Sequence, residues 1–290
     1  MVLALRFWCS ALPGDTWSWR WQPYLGVWAF VALVGGAYAW AVVRLQPRRL
    51  AGDDRPTHER EMLLFALGLL VLWIGADWPV GALAAGYLLS VKILQYLLFA
   101  YVAPALMLLG TPRWLLRRMI RGRVAFRLAR KLSRALIPLA IFNGTLIVTR
   151  LPVVVDTLGA SQLWSFVLDL AVIASGFVLW WPALARLPEL NPMSYGMRIG
   201  YLGLNLFLPT VPASFFTFSN YPIYSIYELA PRVHGIAAVL DQRVAGLTMK
   251  ILGGTILLST MSVMFFRWYR QEDQQDATPQ PAGSDHGRGS

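Results

Sequence analysis

The sequence predicts an all-α fold of the polytopic membrane class, a bundle of seven transmembrane helices, and three observations carry that prediction. Hydrophobic residues make up 57% of the 290 positions and charged residues only 14%, more apolar surface than one water-soluble core can hide. Apolar runs recur along the chain, each long enough to cross a ~30 Å hydrocarbon layer at ~1.5 Å per residue. The 13 Trp, 14 Phe and 11 Tyr suit interfacial anchoring as well as helix packing.

Taken in order, the elements begin with residues 1–23, where Trp17, Trp19 and Trp21 form an interfacial belt leading into the membrane. A cleaved signal peptide is disfavoured, because no basic region precedes Leu3 and Arg6 interrupts the apolar run. Helices are expected over 24–44, 61–78, 83–110, 134–154, 161–184, 197–218 and 239–267, so that 24–267 forms the transmembrane domain. The sixth carries Pro209 and Pro212 among Asn205, Thr210, Ser214 and Thr217, a composition that implies a kink with side-chain hydrogen bonds or water filling the freed backbone positions. Asp241-Gln242-Arg243 opens the seventh, with Asp241 expected to cap its start. Gly35-Gly36 and Gly253-Gly254 lie inside apolar helices and allow close helix approach. Residues 268–290, rich in Gln, Asp, Pro, Gly and Ser, lack the apolar content to fold and read as a disordered tail.

The connecting segments set the orientation. Five Arg fall between Arg44 and Arg60, and nine basic residues between Arg113 and Arg134. With Arg186, Arg198, Arg267, Arg270 and Arg288 these belong on the cytoplasmic side, leaving Arg6, Arg20, Arg150, Arg232 and Arg243 outside. The amino terminus is therefore outside and the carboxyl terminus cytoplasmic. The net charge of +11 then orients helices and meets anionic lipid, and nucleic acid is not an expected partner. The 113–134 stretch reads either as an interfacial helix, with Trp114, Leu115, Leu116, Ile120 and Phe126 facing lipid, or as an ordinary basic loop. No sustained internal repeat is present, which argues against the inverted-repeat transporter folds.

Few residues are available for chemistry. The one cysteine, Cys9, excludes an internal disulfide and a Cys-rich metal cage. The three histidines, His58, His234 and His286, all fall outside the expected spans. No Gly-rich phosphate loop and no nucleophile–His arrangement can be assembled, so an enzyme is not expected. The informative groups are the ionisable residues inside apolar spans, Lys92, Asp169 and Lys250, which cost free energy unless paired or hydrated. Their helices run the same way, so all three lie ~12–17 Å below the outer surface and one layer could hold them. Lys92 and Asp169 are expected to pair, and Lys250 could complete a Lys–Asp–Lys cluster. Gln95 and Tyr96 follow Lys92 at i+3 and i+4 and extend the polar stripe. The layer is either a structural ion pair or a ligand-binding pocket.

Several strings together resemble the multi-span CtaG-like family associated with cytochrome c oxidase assembly in bacteria. They are Trp19-Arg20-Trp21-Gln22-Pro23, Leu97 to Pro112 (LLFAYVAPALMLLGTP), Leu179-Trp180-Trp181-Pro182 and Leu240 to Met249 (LDQRVAGLTM), and their order fits along roughly 17–267. The resemblance implies a seven-helix fold in the bacterial cytoplasmic membrane and partners among respiratory oxidase subunits. The family pattern places intramembrane histidines, suited to copper, at positions that here hold Lys92, Tyr96 and Asp169, and a tryptophan at Lys250. An ammonium, a phenol and one carboxylate make a poor copper site. The expectation is therefore a divergent, non-enzymatic assembly or accessory factor without intramembrane copper or other cofactor. The alternative is a small-molecule or ion transporter that binds its substrate at the Lys92–Asp169–Lys250 layer.

Overall fold

The computed structural model describes residues 7–11, 16–46, 57–185, 187–190, 193–233 and 235–276. Arg6, Arg186, Arg288, His234, His286 and the tail beyond 276 lie outside the described residues. Among those described, the regular elements are helical. They are α1 (Leu25–Leu45), α2 (Glu59–Ala76), α3 (Val80–Gly86), α4 (Leu89–Gly110), α5 (Arg113–Met119), α6 (Arg123–Leu132), α7 (Leu136–Thr149), α8 (Pro152–Leu158) and α9 (Gln162–Leu184). After these come α10 (Tyr195–Phe207), α11 (Thr210–Phe218), α12 (Ser225–Glu228) and α13 (Ala238–Asp276).

Five spans are long and apolar enough to cross a membrane, namely α1, α4, α9, α10–α11 taken together, and α13. Two bent pairs, α2–α3 at 48° and α6–α7 at 81°, raise the number to at most seven, so the seven expected from the sequence is the upper end of the range. The distribution of polarity suits a lipid surround. Leu33, Val43, Leu63, Ile74, Leu163, Phe207, Ile251 and Phe266 are exposed, whereas Gln95, Asn143, Asp169, Asn205, Asp241 and Gln242 are buried. Water would select the reverse; a bilayer rewards satisfied polar groups inside and apolar ones outside.

α4 is the axis of the bundle, with 67% of its apolar window buried against 11% of that of α1. Its second half packs on α2, its first half on α13, and α9 covers another side. α9 comes close because Gly176 faces α4: a Cβ there would lie 2.5 Å from the Ala100 carbonyl oxygen and 2.7 Å from Pro104 Cγ. The Gly pairs singled out in the sequence behave differently. In each pair one member makes the close approach, a Cβ at Gly35 lying 2.8 Å from Leu69 and one at Gly253 3.3 Å from Leu97, whereas Gly36 has nothing within 4 Å and Gly254 meets only Leu206 at 3.5 Å. A glycine pair in an apolar run shows that close approach is possible; which glycine meets a neighbour depends on helix rotation. α4 also contains a π-helical turn at Leu98–Val102, and α1 is pinned to its far end by Tyr38, which donates to the Gly110 carbonyl at 2.8 Å and stacks on Phe65 at 3.7 Å.

Two local expectations change, and a third, the kink in the sixth span, is borne out. The 113–134 stretch is helical, as α5 and α6, but Trp114, Leu115 and Leu116 are buried in protein rather than facing lipid, with the Trp114 indole donating to Thr57. The break in the sixth span falls at Leu208–Pro209, between α10 and α11, where Ser214 and Thr217 donate to the carbonyls of Thr210 and Ala213. α13 continues beyond 267 to Asp276, because Arg267 to Asp276 contains no Gly or Pro and is dominated by residues that tolerate a helix. At 39 residues it is ~58 Å long, well beyond a hydrocarbon layer.

Candidate functional site

A polar cluster forms at the end of the bundle where α4 begins. Leu88 is extended, with φ −131° and ψ 118°, so the chain turns out of α3 and restarts as α4 at Leu89. That restart is fixed by Asp241 of α13. One carboxylate oxygen accepts from the Leu89 N–H at 2.6 Å, the other accepts from the Ser90 N–H at 3.3 Å, and the Ser90 hydroxyl also donates to Asp241. Asp241 therefore caps α4 rather than its own helix, as the sequence suggested. Because α13 begins at Ala238, Asp241 sits a turn inside it and faces its neighbour. Gln242 accepts from the Ile223 N–H at 2.8 Å, and Arg243 donates to Asn220 at 3.1 Å. The Asp241-Gln242-Arg243 string thus ties α13 to α4 and to the 220–223 segment.

One turn into α4, Lys92 Nζ lies 2.9 Å from Asp169 Oδ1 of α9 and 2.8 Å from Gln95 Oε1. Gln95 passes the chain on, donating from Nε2 to the Gly75 carbonyl of α2 at 2.8 Å. The second Asp169 oxygen accepts from the Trp8 indole at 3.0 Å, so both oxygens are engaged. Trp8 belongs to the N-terminal segment, whose 7–11 backbone is held by Gln162 and Gly159 at the start of α9 and by Gly26 of α1. Cys9 is buried in the same segment and donates to the Ala76 carbonyl at 3.3 Å. Burial pushes its thiol pKa up, and the Asp169 and Asp77 carboxylates push it the same way.

Beside this pair is a cavity of about 50 Å³, lined by Lys92, Asp169, Tyr96, Arg150, Tyr224 and Tyr227 among others. Arg150, at the end of α7, is 8% exposed and carries its guanidinium over the Tyr96 ring at 4.8 Å. Tyr224 and Tyr227 reach in from the segment after α11 and donate to the carbonyls of Arg150 and Ala84, at 2.8 Å and 2.7 Å. Burial pushes the Tyr224 phenol up to about 12 against the opposing pull of the Arg150 charge, so it stays protonated and a donor at neutral pH.

The structure brings Lys92, Gln95, Tyr96 and Asp169 together. Lys250 does not join them: it is exposed on α13 and has no hydrogen bond or ion pair among the described residues. Depth along parallel helices placed it in the same layer, but its rotation about α13 turns it outward. Sequence reasoning missed Trp8, Cys9, Arg150, Tyr224 and Tyr227. Only Arg150 left a signal, since it falls inside the span expected over 134–154. At the opposite end, Arg60, Arg113, Arg198 and Arg267 line a groove of about 1330 Å³ walled by Leu106, Ile256 and Val263.

As a copper site the cluster is poor. Lys92 and both Asp169 oxygens already have partners, and Tyr96 lies beneath a cation. Cys9 is the single thiol, and among the described residues no group of three His, Cys, Asp or Glu could hold a metal.

Fold and cluster together define an all-helical membrane protein with a polar centre buried near one end. The chain matches the family model described as cytochrome c oxidase caa3 assembly factor (Caa3_CtaG) over residues 36–271 and belongs to that family. No curated protein and no solved structure matches it significantly.

Proposed function

We propose that this protein is an assembly or accessory factor for a cytochrome c oxidase in the bacterial cytoplasmic membrane, acting through contacts with oxidase subunits and lipid, without catalysis and without intramembrane copper coordination. Family membership supports the assembly role. The observation that carries the rest is that Lys92 is engaged by Asp169 and Gln95, and the two Asp169 oxygens by Lys92 and Trp8. A metal entering there would have to break a buried ion pair, at a cost of about 3–5 kcal/mol, and would find hard, poorly matched donors. Orientation follows from charge. The arginine-lined groove and the basic α5–α6 stretch lie at the end opposite the cluster, so the cluster faces outward under the positive-inside rule. The transport alternative gains no support, since the family match is to an assembly factor and Lys250 lies outside the cluster.

Deletion of the gene, followed by oxidase activity and subunit assembly measured in isolated membranes, tests this reading. Loss of assembled oxidase, restored by the wild-type chain, is the expected result; unchanged oxidase would refute it. Metal analysis of the purified protein should find no stoichiometric copper. Copper that disappears on Asp169→Asn or Tyr96→Phe would overturn the metal-free centre.

A further inference from the structure

The charges that line the cavity do not balance among themselves. The charged groups lining the cavity are Lys92, Arg150 and Asp169, two cations and one anion. Asp169 is spent on Lys92 and Trp8. Of the neighbouring carboxylates, Asp241 is committed to the start of α4, Asp156 to the backbone of Ser225 and Ile226, and Asp77 to the Trp28 indole through one oxygen, its other oxygen being buried without a partner among the described residues and outside the cavity lining. Arg150 is left with no acceptor: its Nε is buried and unpartnered, and the side chain makes no ion pair or hydrogen bond among the described residues. Its guanidinium lies over the face of Tyr96, and its charge also reaches the Tyr224 and Tyr227 phenols, none of which supplies it with an anionic acceptor. A guanidinium withdrawn from water and stacked on a ring keeps a planar fork of donors that match a carboxylate bidentately. Lys92 has three ammonium protons and uses two, on Asp169 and Gln95.

We propose that the cavity is a binding site for one small carboxylate monoanion, held by the Arg150 fork with Lys92 as second donor. The single negative charge brings the lining to neutrality. The size of the cavity sets the class. About 50 Å³ is room for roughly three to five waters at ~10–15 Å³ each, which admits a carboxylate of one or two carbons and excludes a nucleotide or an acyl chain. Asp169 on the far side of Lys92 disfavours a dianion. The site therefore takes a freely diffusing ion such as formate or acetate, with the Tyr96 ring and Tyr224 forming its walls.

The test uses the purified full chain in lipid nanodiscs, titrated with sodium formate, acetate, chloride and sulfate at constant ionic strength, and reads thermal stability together with binding of carbon-labelled formate. Formate and acetate should raise the melting temperature saturably, with chloride and sulfate weaker. Arg150→Gln should weaken labelled-formate binding by at least about tenfold, and Arg150→Lys, which keeps the charge without the fork, should fall between. If Arg150→Gln does not fold, Arg150→Lys carries the comparison alone. Equal stabilisation by all four salts, or formate affinity unchanged in the Arg150 variants, would overturn the proposal. These readouts are independent of oxidase assembly, so failure here and failure of the assembly reading are distinguishable.

Discussion

Replacing Lys92 with Met should cost more stability than replacing Asp169 with Asn, although both remove the same ion pair. The asymmetry follows from what each change strands. In Lys92→Met the Asp169 carboxylate keeps only the Trp8 indole, and its side chain is 7% exposed. In Asp169→Asn the stranded ammonium keeps Gln95 and is 26% exposed toward the cavity. Orphaning one member of a buried pair costs about 3–5 kcal/mol, and partial solvation reduces this for the lysine. We expect about 3 kcal/mol for Lys92→Met and about 2 kcal/mol for Asp169→Asn. The double variant removes both charges and should cost about 3 kcal/mol, roughly 2 less than the sum of the single effects. Unfolding of the full chain in mixed micelles with increasing denaturing detergent, followed by tryptophan fluorescence, gives all three values. Additivity of the two effects within about 0.5 kcal/mol, or a larger loss for Asp169→Asn, would refute this account of the pair.

Three further outcomes are expected. Asp241→Ala should cost about 1–2 kcal/mol, the scale of a lost helix cap, and hydrogen exchange should quicken first at the Leu89 and Ser90 amides; faster exchange at the start of α13 instead would contradict the cross-helix cap. Gly176→Ala should destabilise by about 1–3 kcal/mol because the added methyl meets the α4 backbone rather than a movable side chain, whereas Gly36→Ala, with nothing nearby, should be neutral in the same unfolding assay. Cys9 is buried with its thiol pKa raised, so maleimide labelling at mildly alkaline pH should be slow in the folded protein and rapid after unfolding. The same shift means that the unfolded chain gives up the thiol proton at lower pH than the folded one. Stability should therefore fall as pH rises above the ordinary thiol pKa.

Much of the architecture was legible because membrane insertion is written in local composition. Apolar length marked α1, α4, α9, α10–α11 and α13, and the Lys92–Asp169 pairing followed from two charges that each needed relief at similar depth. Lys250 shows where that logic stops: depth is read from position along a helix, whereas facing depends on rotation about it, and rotation is set by packing that involves Ala245, Gly246 and Met249 rather than by Lys250 itself. Asp241 shows the same limit, since its place near a helix start suggested a cap for its own helix, whereas it caps α4.

The sequence by itself determined a membrane class of fold, the segregation of basic residues into particular connections and the need for a partner at each buried charge, because these depend on the transfer free energy of individual residues. Tertiary structure decided that Trp8, distant in the chain, completes the shell of Asp169, that Lys250 turns outward, and that Arg150 rests on Tyr96 with no acceptor among the described residues. Those outcomes depend on which helix faces meet, and the packing of glycines and bulky side chains across several helices settles that only when the whole bundle has assembled.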